Sequence, residues 1–322
     1  MEQRPHHSNL KDAVFLYPYK IDFYSFCYRV EDAENSTDSY TDKILMLLEP
    51  MFVLYLKIFD VITLVDCETQ EIVDILQVGF SAFVVELAAP VIRYAVSGNQ
   101  ESGFVIEREG EKPYQADNVY ELLYGFEKDL TLELELQRKD LFFVHGAALA
   151  LNDRAILISA PSGSGKSTTT WALLHHGFDY LSDELAPIQL ESLNVEPFPH
   201  ALNQKKHPPK PYDLPEQTFK TDRTMHVPVE ALPCKVVYEP TPLVAMFYVQ
   251  YNPAAIEPSI TSVSVGQGCM NLFANGLNQL QHENKGLATA TDIAGRIPSF
   301  KVETTSNLEK SALMLKKFVL KL

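Results

Sequence analysis

Cysteine is sparse in this 322-residue chain. Cys27, Cys67, Cys234 and Cys269 are scattered, with no CxxC pair and no His/Cys spacing of the metal-binding kind. A disulfide framework and a structural zinc site are therefore not expected, and a reducing cytoplasm suits such a chain. Basic residues are also short: 27 Lys and Arg stand against 42 Asp and Glu, a formal charge of −15. Sequence-independent binding to nucleic acid or to anionic lipid depends on cationic side chains, so neither partner is expected. Long apolar runs are missing too. The most hydrophobic stretch, from Ile44 to Val65, is broken by Glu49, Pro50, Lys57 and Asp60, whereas a membrane span needs about 20 predominantly apolar residues. It reads as buried strands and a turn. The opening MEQRPHHSNLKDAVF lacks the apolar core of a signal peptide.

The apolar share, 46%, is enough for a sizeable core. Up to about residue 115 the chain is dense in aromatic and β-branched residues. AVFLYPYKIDFYSFCYRV, MFVLYLKIFDVITLVD and EIVDILQVGFSAFVVEL all read as strands, and SGFVIEREGEKPY as a strand and a turn. From Asp117 to Arg138 the spacing of Val119, Leu122, Leu123, Phe126, Leu130, Leu134 and Leu136 predicts a helix, capped by Asp117 or Asn118 and leading into a second domain. LFFVHGAALALN then reads as strand, turn at His145-Gly146, strand, and RAILISA as a further strand. Ten of the twenty prolines lie between Pro197 and Pro242. That stretch cannot be regular throughout, and it reads as a lid, a binding loop or a disordered segment. LVAMFYVQY and SFKVE read as strands. A helix is expected to begin after Gly266 or Gly268, and a terminal helix after Ser306, with Glu309 completing a capping box.

The chemistry sits in AILISAPSGSGKSTTTWALLHHGFDYLSDELAPI, from Ala155 to Ile188. Ala160-Pro161-Ser162-Gly163-Ser164-Gly165-Lys166-Ser167 fits [AG]-x4-GK-[ST]. Gly163 and Gly165 permit backbone angles closed to other residues, so that successive amides of residues 162–168 can face one anion. The helix that follows adds its positive end. Lys166 would contact the β- and γ-phosphates, the Ser167 hydroxyl would bind Mg²⁺, and Thr168 would add a contact. The alternative, a chance glycine-rich turn, lacks the flanking strand and helix patterns seen here. Gly177 suits the left-handed position that ends the helix. FDYLS is then a strand, with Asp183-Glu184 at its C-terminal end, where open α/β sheets bind ligands. One carboxylate there could hold Mg²⁺ and the other accept a proton from an attacking hydroxyl. A solvated acidic turn is the plainer alternative.

Only 17 residues separate Lys166 from Asp183. Transport-type and ring-forming ATPases place their acidic pair much further downstream. No LSGGQ-like signature is present, and the nearest approach to a guanine-reading NKxD, Asn284-Lys285-Gly286-Leu287, fails at its fourth place. The compact stretch FVHGAALALNDRAILISAPSGSGKSTTTWALLHHGFDYLSDELAPI instead resembles the bacterial HPr kinase/phosphorylase family. It is closer still to HPr-kinase-related proteins found beside peptide-modification genes, including lasso-peptide tailoring kinases. The resemblance spans His145 to about Lys205, and PFPHALNQK adds to it.

The resemblance implies a P-loop α/β kinase domain of the HPr kinase/PEP carboxykinase type over residues 117–322, preceded by a smaller β-rich domain over residues 1–116. It implies nucleotide and metal at Lys166 and Ser167, and an Asp183 that activates the substrate hydroxyl. Glu184 stands where the family has a second aspartate, and His145 matches the family's upstream histidine, which either stands near the phosphates or is a structural histidine of a tight turn. Lys205 either reaches phosphate or belongs to a solvated loop. The activity implied is transfer of the γ-phosphoryl group of ATP, with Mg²⁺, to a hydroxyl, a Ser or Thr of a peptide or protein. A non-catalytic nucleotide-binding scaffold and a small-molecule hydroxyl kinase are the alternatives. Family members often form homo-oligomers, which nothing in these residues decides.

Overall fold

The computed structural model describes residues 52–322. The aromatic stretch at 13–30 and the start of the hydrophobic run at 44–51 lie outside the described residues. What is described is a mixed α/β structure with several sheets and six α-helices.

The chain first builds a hairpin from β1 (Phe52–Ile58) and β2 (Val61–Cys67). Its two-residue turn, Phe59 and Asp60, has φ of 49° and 65°, the mirror-image geometry that matches strand twist. A bulky residue is rarely stable there. Phe59 is held from outside: its ring lies 5.7 Å from those of Phe143 and Phe198, and Arg138 Nη1 donates to its carbonyl at 2.6 Å.

Next comes α1 (Gln70–Phe80), which replaces the strand expected over 71–87. The β-branched residues misled; their spacing did not. Ile72, Val73, Ile75, Leu76 and Phe80 are buried together along one helical face, and the Thr69 hydroxyl caps the start by accepting from the Ile72 amide. Burial of a helical stripe outweighs weak strand propensity. Strands β3 (Ile92–Asn99), β4 (Gly103–Arg108) and β5 (Tyr114–Ala116) complete a five-stranded sheet in the order β1-β2-β3-β4-β5, with β2 and β3 parallel across the α1 crossover.

The predicted helix at 117–138 is α2 (Val119–Gln137), capped by Asn118, whose side chain accepts from the Glu121 amide. Its face of Leu122, Leu123, Phe126, Leu130 and Leu134 packs into one core with the five-stranded sheet and α1. Each such side chain contributes about 1.5–3 kcal/mol on burial. Arg108 of β4 fixes the helix further, through Asp129 at 2.7 Å and Glu133 at 3.1 Å.

The rest of the chain alternates strands and helices: β6 (Leu141–His145), β7 (Ala147–Ala150), β8 (Ala155–Ser159), α3 (Lys166–His175), β9 (Asp179–Ser182), β10 (Leu185–Gln189) and β11 (Asn194–Val195). The proline-rich stretch is ordered around a small sheet of β12 (Leu202–Gln204), β13 (Phe219–Lys220) and β14 (Met225–Val227). Then follow β15 (Thr241–Tyr251), β16 (Ser259–Ser262), α4 (Val265–Ala274), α5 (Leu287–Arg296), β17 (Ser299–Thr304) and α6 (Leu308–Val319). Two helix starts differ from expectation. α4 begins at Val265, before either glycine, because Ser264 and Gln267 form a capping box. α6 is capped by Asn307 and not Ser306, since the Asn307 side chain reaches the Lys310 amide.

The large sheet runs β6-β10-β11-β15-β8-β7-β9, with β17 beside β15 and β16 beyond it. β8, β15 and β17 are parallel neighbours. On one face Ala147, Leu149, Ile156 and Ile158 pack with α3 and α6. On the other, Ala148, Ala150 and Leu157 pack with α4, α5 and the side chains of Phe142, Val144, Ala186 and Ile188. So the chain turns at His145-Gly146 into another layer. β6 alternates between two cores, Leu141 and Phe143 toward the five-stranded sheet, Phe142 and Val144 toward the large one. Cys67, Cys234 and Cys269 are free thiols. Among the described residues no helix is long and apolar enough to cross a membrane.

Candidate functional site

All five side chains of β8 are buried in the middle of the large sheet, so the strand delivers the loop at 160–165 from a rigid base. Gly163 and Gly165 take φ of 80° and 93°, the left-handed region the sequence reading required of them. Gly165 is also the residue that opens α3. It has no side chain to cap the helix, so the first-turn amides are offered outward. Pro161, Ser162 and Gly163 are exposed, Ser164 and Gly165 half-buried, and Ser167 and Thr168 half-buried on the first turn. The Ser164 amide donates to Pro161 O at 3.0 Å, and Gln204 of β12 donates to Ser167 O at 2.9 Å. An uncapped helix start behind a glycine loop leaves free amides that could face an anion.

α3 ends at His175, with Gly177 at φ 86° turning the chain into β9, and β9 ends at Ser182. Asp183 is fully buried, and Glu184 is half-buried with φ 74°. A non-glycine residue in that region is strained, and such strain collects at functional positions. The Gly146 amide donates to the Glu184 carbonyl at 3.2 Å and helps hold it there. Lys166 binds both carboxylates: its Nζ donates to Asp183 Oδ1 and, at 3.0 Å, to Glu184 Oε1. His145 Nδ1 stands 3.5 Å from Glu184 Oε2.

The two carboxyls are pushed apart in acidity. Burial raises Asp183, with the nearby Glu184 charge adding to the effect and Lys166 only partly opposing it. Burial also acts on Glu184, but there the Lys166, His145 and Lys205 charges prevail and hold it below its usual range. Lys166 is held above its ordinary value because the two carboxylates overcome its desolvation. Asp183 Oδ2 makes no hydrogen bond of ordinary geometry; the Asn203 amide stands near enough only to favour the charged form weakly. An unsatisfied buried carboxylate oxygen costs about 1–3 kcal/mol, which a cation or a donating hydroxyl at this spot would recover.

The structure thus brings Lys166, Asp183, Glu184 and His145 into one connected group at the loop's base. Lys205 is exposed, yet its charge reaches Glu184. Among the described residues no three or more His, Cys, Asp or Glu side chains form a metal-holding group. A nucleotide-borne Mg²⁺ does not need one, since phosphates and water complete its six oxygens around one or two protein carboxylates.

Two residues escaped the sequence reading. Glu127 of α2 comes from the five-stranded half of the molecule, yet it feels the charges of Glu184, Asp183 and Lys166. Burial first, and the two carboxylates second, push it up to about 8. Its Oε1 lies 3.8 Å from Nδ1 of His200, which burial pushes down to about 4. Burial thus disfavours the charged form of both. A signal for Glu127 was present: it is four residues after Leu123 and three before Leu130, on the apolar face of α2.

No protein-family model matches this chain, and no curated protein matches it. Among solved structures the chain is similar to the Hpr(Ser) kinase/phosphatase from Coxiella burnetii, at 14% identity and a TM-score of 0.29, over 56% of this chain and 97% of that one. So distant a likeness adds no weight to the functional reading, which rests on the geometry.

Proposed function

We propose that this chain is an ATP- and Mg²⁺-dependent kinase that transfers the γ-phosphoryl group to a hydroxyl, a Ser or Thr of a peptide or protein. The observation that carries the proposal is the bridging of Asp183 and Glu184 by Lys166, the lysine of the glycine loop motif and the first residue of an uncapped helix. Free helix-start amides, a lysine charge and a buried acceptor of protons meet in one place. That is the equipment phosphoryl transfer needs, because the reaction depends on positioning and on neutralising charge.

In this reading the amides of the loop and of the first turn of α3 seat the polyphosphate. Lys166 exchanges its carboxylate partners for phosphate oxygens. Asp183, with its raised proton affinity, takes the proton of the acceptor hydroxyl as the new O–P bond forms and the bond to the leaving ADP oxygen breaks. Glu184, kept ionised by Lys166 and His145, and the Ser167 hydroxyl would hold Mg²⁺, with Asp183 beside them. The ion, when bound, neutralises charge on the transferring group. His145 orients Glu184.

Asp183→Asn tests the assignment. With γ-labelled ATP and a panel of Ser- and Thr-containing peptides, transfer should fall by about 10²–10⁴-fold, while ATP affinity measured by calorimetry stays within about threefold. Undiminished transfer to the acceptor would remove Asp183 from the chemistry. ATP binding by the unaltered chain with no labelled product from any acceptor would favour the scaffold reading.

A further inference from the structure

A cavity of about 740 Å³ opens beside the glycine loop, lined by Pro161 and Ser164 of the loop, Tyr248 and Gln250 at the end of β15, and Gln267 and Met270 of α4. It plays no part in the chemistry described above. From its position and lining, we infer that this groove receives the nucleoside of the bound nucleoside triphosphate. The inference rests on the phosphate-site reading and extends it to the other end of the ligand.

Topology supplies the first argument. β8, which carries the loop, has β15 on one side and β7 followed by β9 on the other. Lys166, Asp183 and Glu184 gather on the β9 side. The groove lies on the β15 side. A triphosphate laid across the loop with its γ end at Lys166 therefore points its nucleoside toward the groove. An acceptor has the opposite requirement: its hydroxyl must reach Asp183, across the loop from the groove.

Chemistry supplies the second. The chain carries a net charge of −15, yet no acidic residue lines this groove, and Lys301 adds a positive one. Side-chain amides of Gln250 and Asn271 offer donors and acceptors for a base edge, while Tyr248 and Met270 offer flat and soft apolar surface. The walls are also joined to the loop. The Tyr251 amide donates to Ser164 O at 3.1 Å, and Tyr248 Oη donates to Gly268 O at 3.1 Å, so β15 ties loop and α4 into one preformed unit.

Gly266 makes the inference testable. It lines the groove from the first turn of α4, and a Cβ placed on it meets nothing within 4 Å. A larger side chain there fills the groove while favouring the helix. In Gly266→Leu, ATP affinity should fall by about tenfold or more, while inorganic tripolyphosphate affinity stays within about twofold. Gly266→Ala, which fills little, should leave both nearly unchanged, and neither variant should unfold at lower urea. Equal ATP affinity in Gly266→Leu and the unaltered chain would overturn the inference. So would loss of acceptor phosphorylation with ATP binding intact, which would make the groove the acceptor's. Failure of the unaltered chain to bind tripolyphosphate or ATP would instead remove the phosphate site, and the groove's role with it.

Discussion

Glu127 can be interrogated without touching Lys166, Asp183 or Glu184, and the expected effect has a definite sign. Its carboxyl titrates near 8 in the folded chain and near its usual 4.5 when unfolded, because burial and the charges of Glu184 and Asp183 disfavour ionisation. Between those two values the folded chain keeps a proton that the unfolded chain has released. Stability therefore drains as pH rises through the window from about 4.5 to about 8, and the whole cost is felt above it. At about 1.36 kcal/mol per pH unit, the gap amounts to an upper bound of about 5 kcal/mol. Since 19% of the side chain is still exposed, water relieves part of this, and about 2–4 kcal/mol is the working expectation. Glu127→Gln keeps the shape and removes the titration. Urea unfolding followed by the fluorescence of Trp171, the single buried tryptophan, should give similar stabilities for the two proteins at pH 5. By pH 8.5 the Gln variant should be the more stable by about 2–4 kcal/mol. Glu135, raised to about 7, and His226, lowered to about 4, also titrate, but they are common to both proteins and cancel in the difference. Parallel stability curves from pH 5 to 8.5 would show that Glu127 does not sit in the field of the carboxylates.

Lys166→Met should abolish nucleotide binding and also strand Asp183 without its counter-charge. We expect a loss of about 3–5 kcal/mol at pH 8 that shrinks toward pH 5 as Asp183 takes a proton; a loss independent of pH would contradict it. Gly79→Ala sets two effects against each other. Helix propensity favours alanine within α1 by about 1 kcal/mol, but the new Cβ would clash with His200 Nε2. That ring is boxed in by Phe80 at 4.7 Å and Phe198 at 5.9 Å. Overpacking should prevail, with a net loss of about 1–2 kcal/mol in urea unfolding; a gain in stability would mean the ring can move aside.

The geometry around Lys166 was legible because it is local. Loop, helix, strand and carboxylates follow one another, and each local choice has one physical meaning: glycine where φ is positive, an uncapped helix start, acids at a strand end. His145 came only through family resemblance, yet the turn after β6 does bring it to Glu184. In α1 the β-branched residues point to a strand while their 3.6-residue spacing points to a helix, and the spacing prevails. Glu127 and His200 were missed for a different reason. Their meeting with the carboxylates depends on how two sheets pack, and no spacing along the chain encodes that. The proline-rich stretch yielded only its irregularity; that β12 would return to α3 and hold Ser167 through Gln204 is a matter of tertiary contact.

β6 gives its odd-numbered side chains to one half of the molecule and its even-numbered ones to the other. A party wall of this kind cannot be demolished from one side. Excising the leading half would leave Leu141 and Phe143 naked to solvent and would take away the rings that steady Phe198. The half that carries the glycine loop is thus not a detachable cassette: the leading half was built to travel with it.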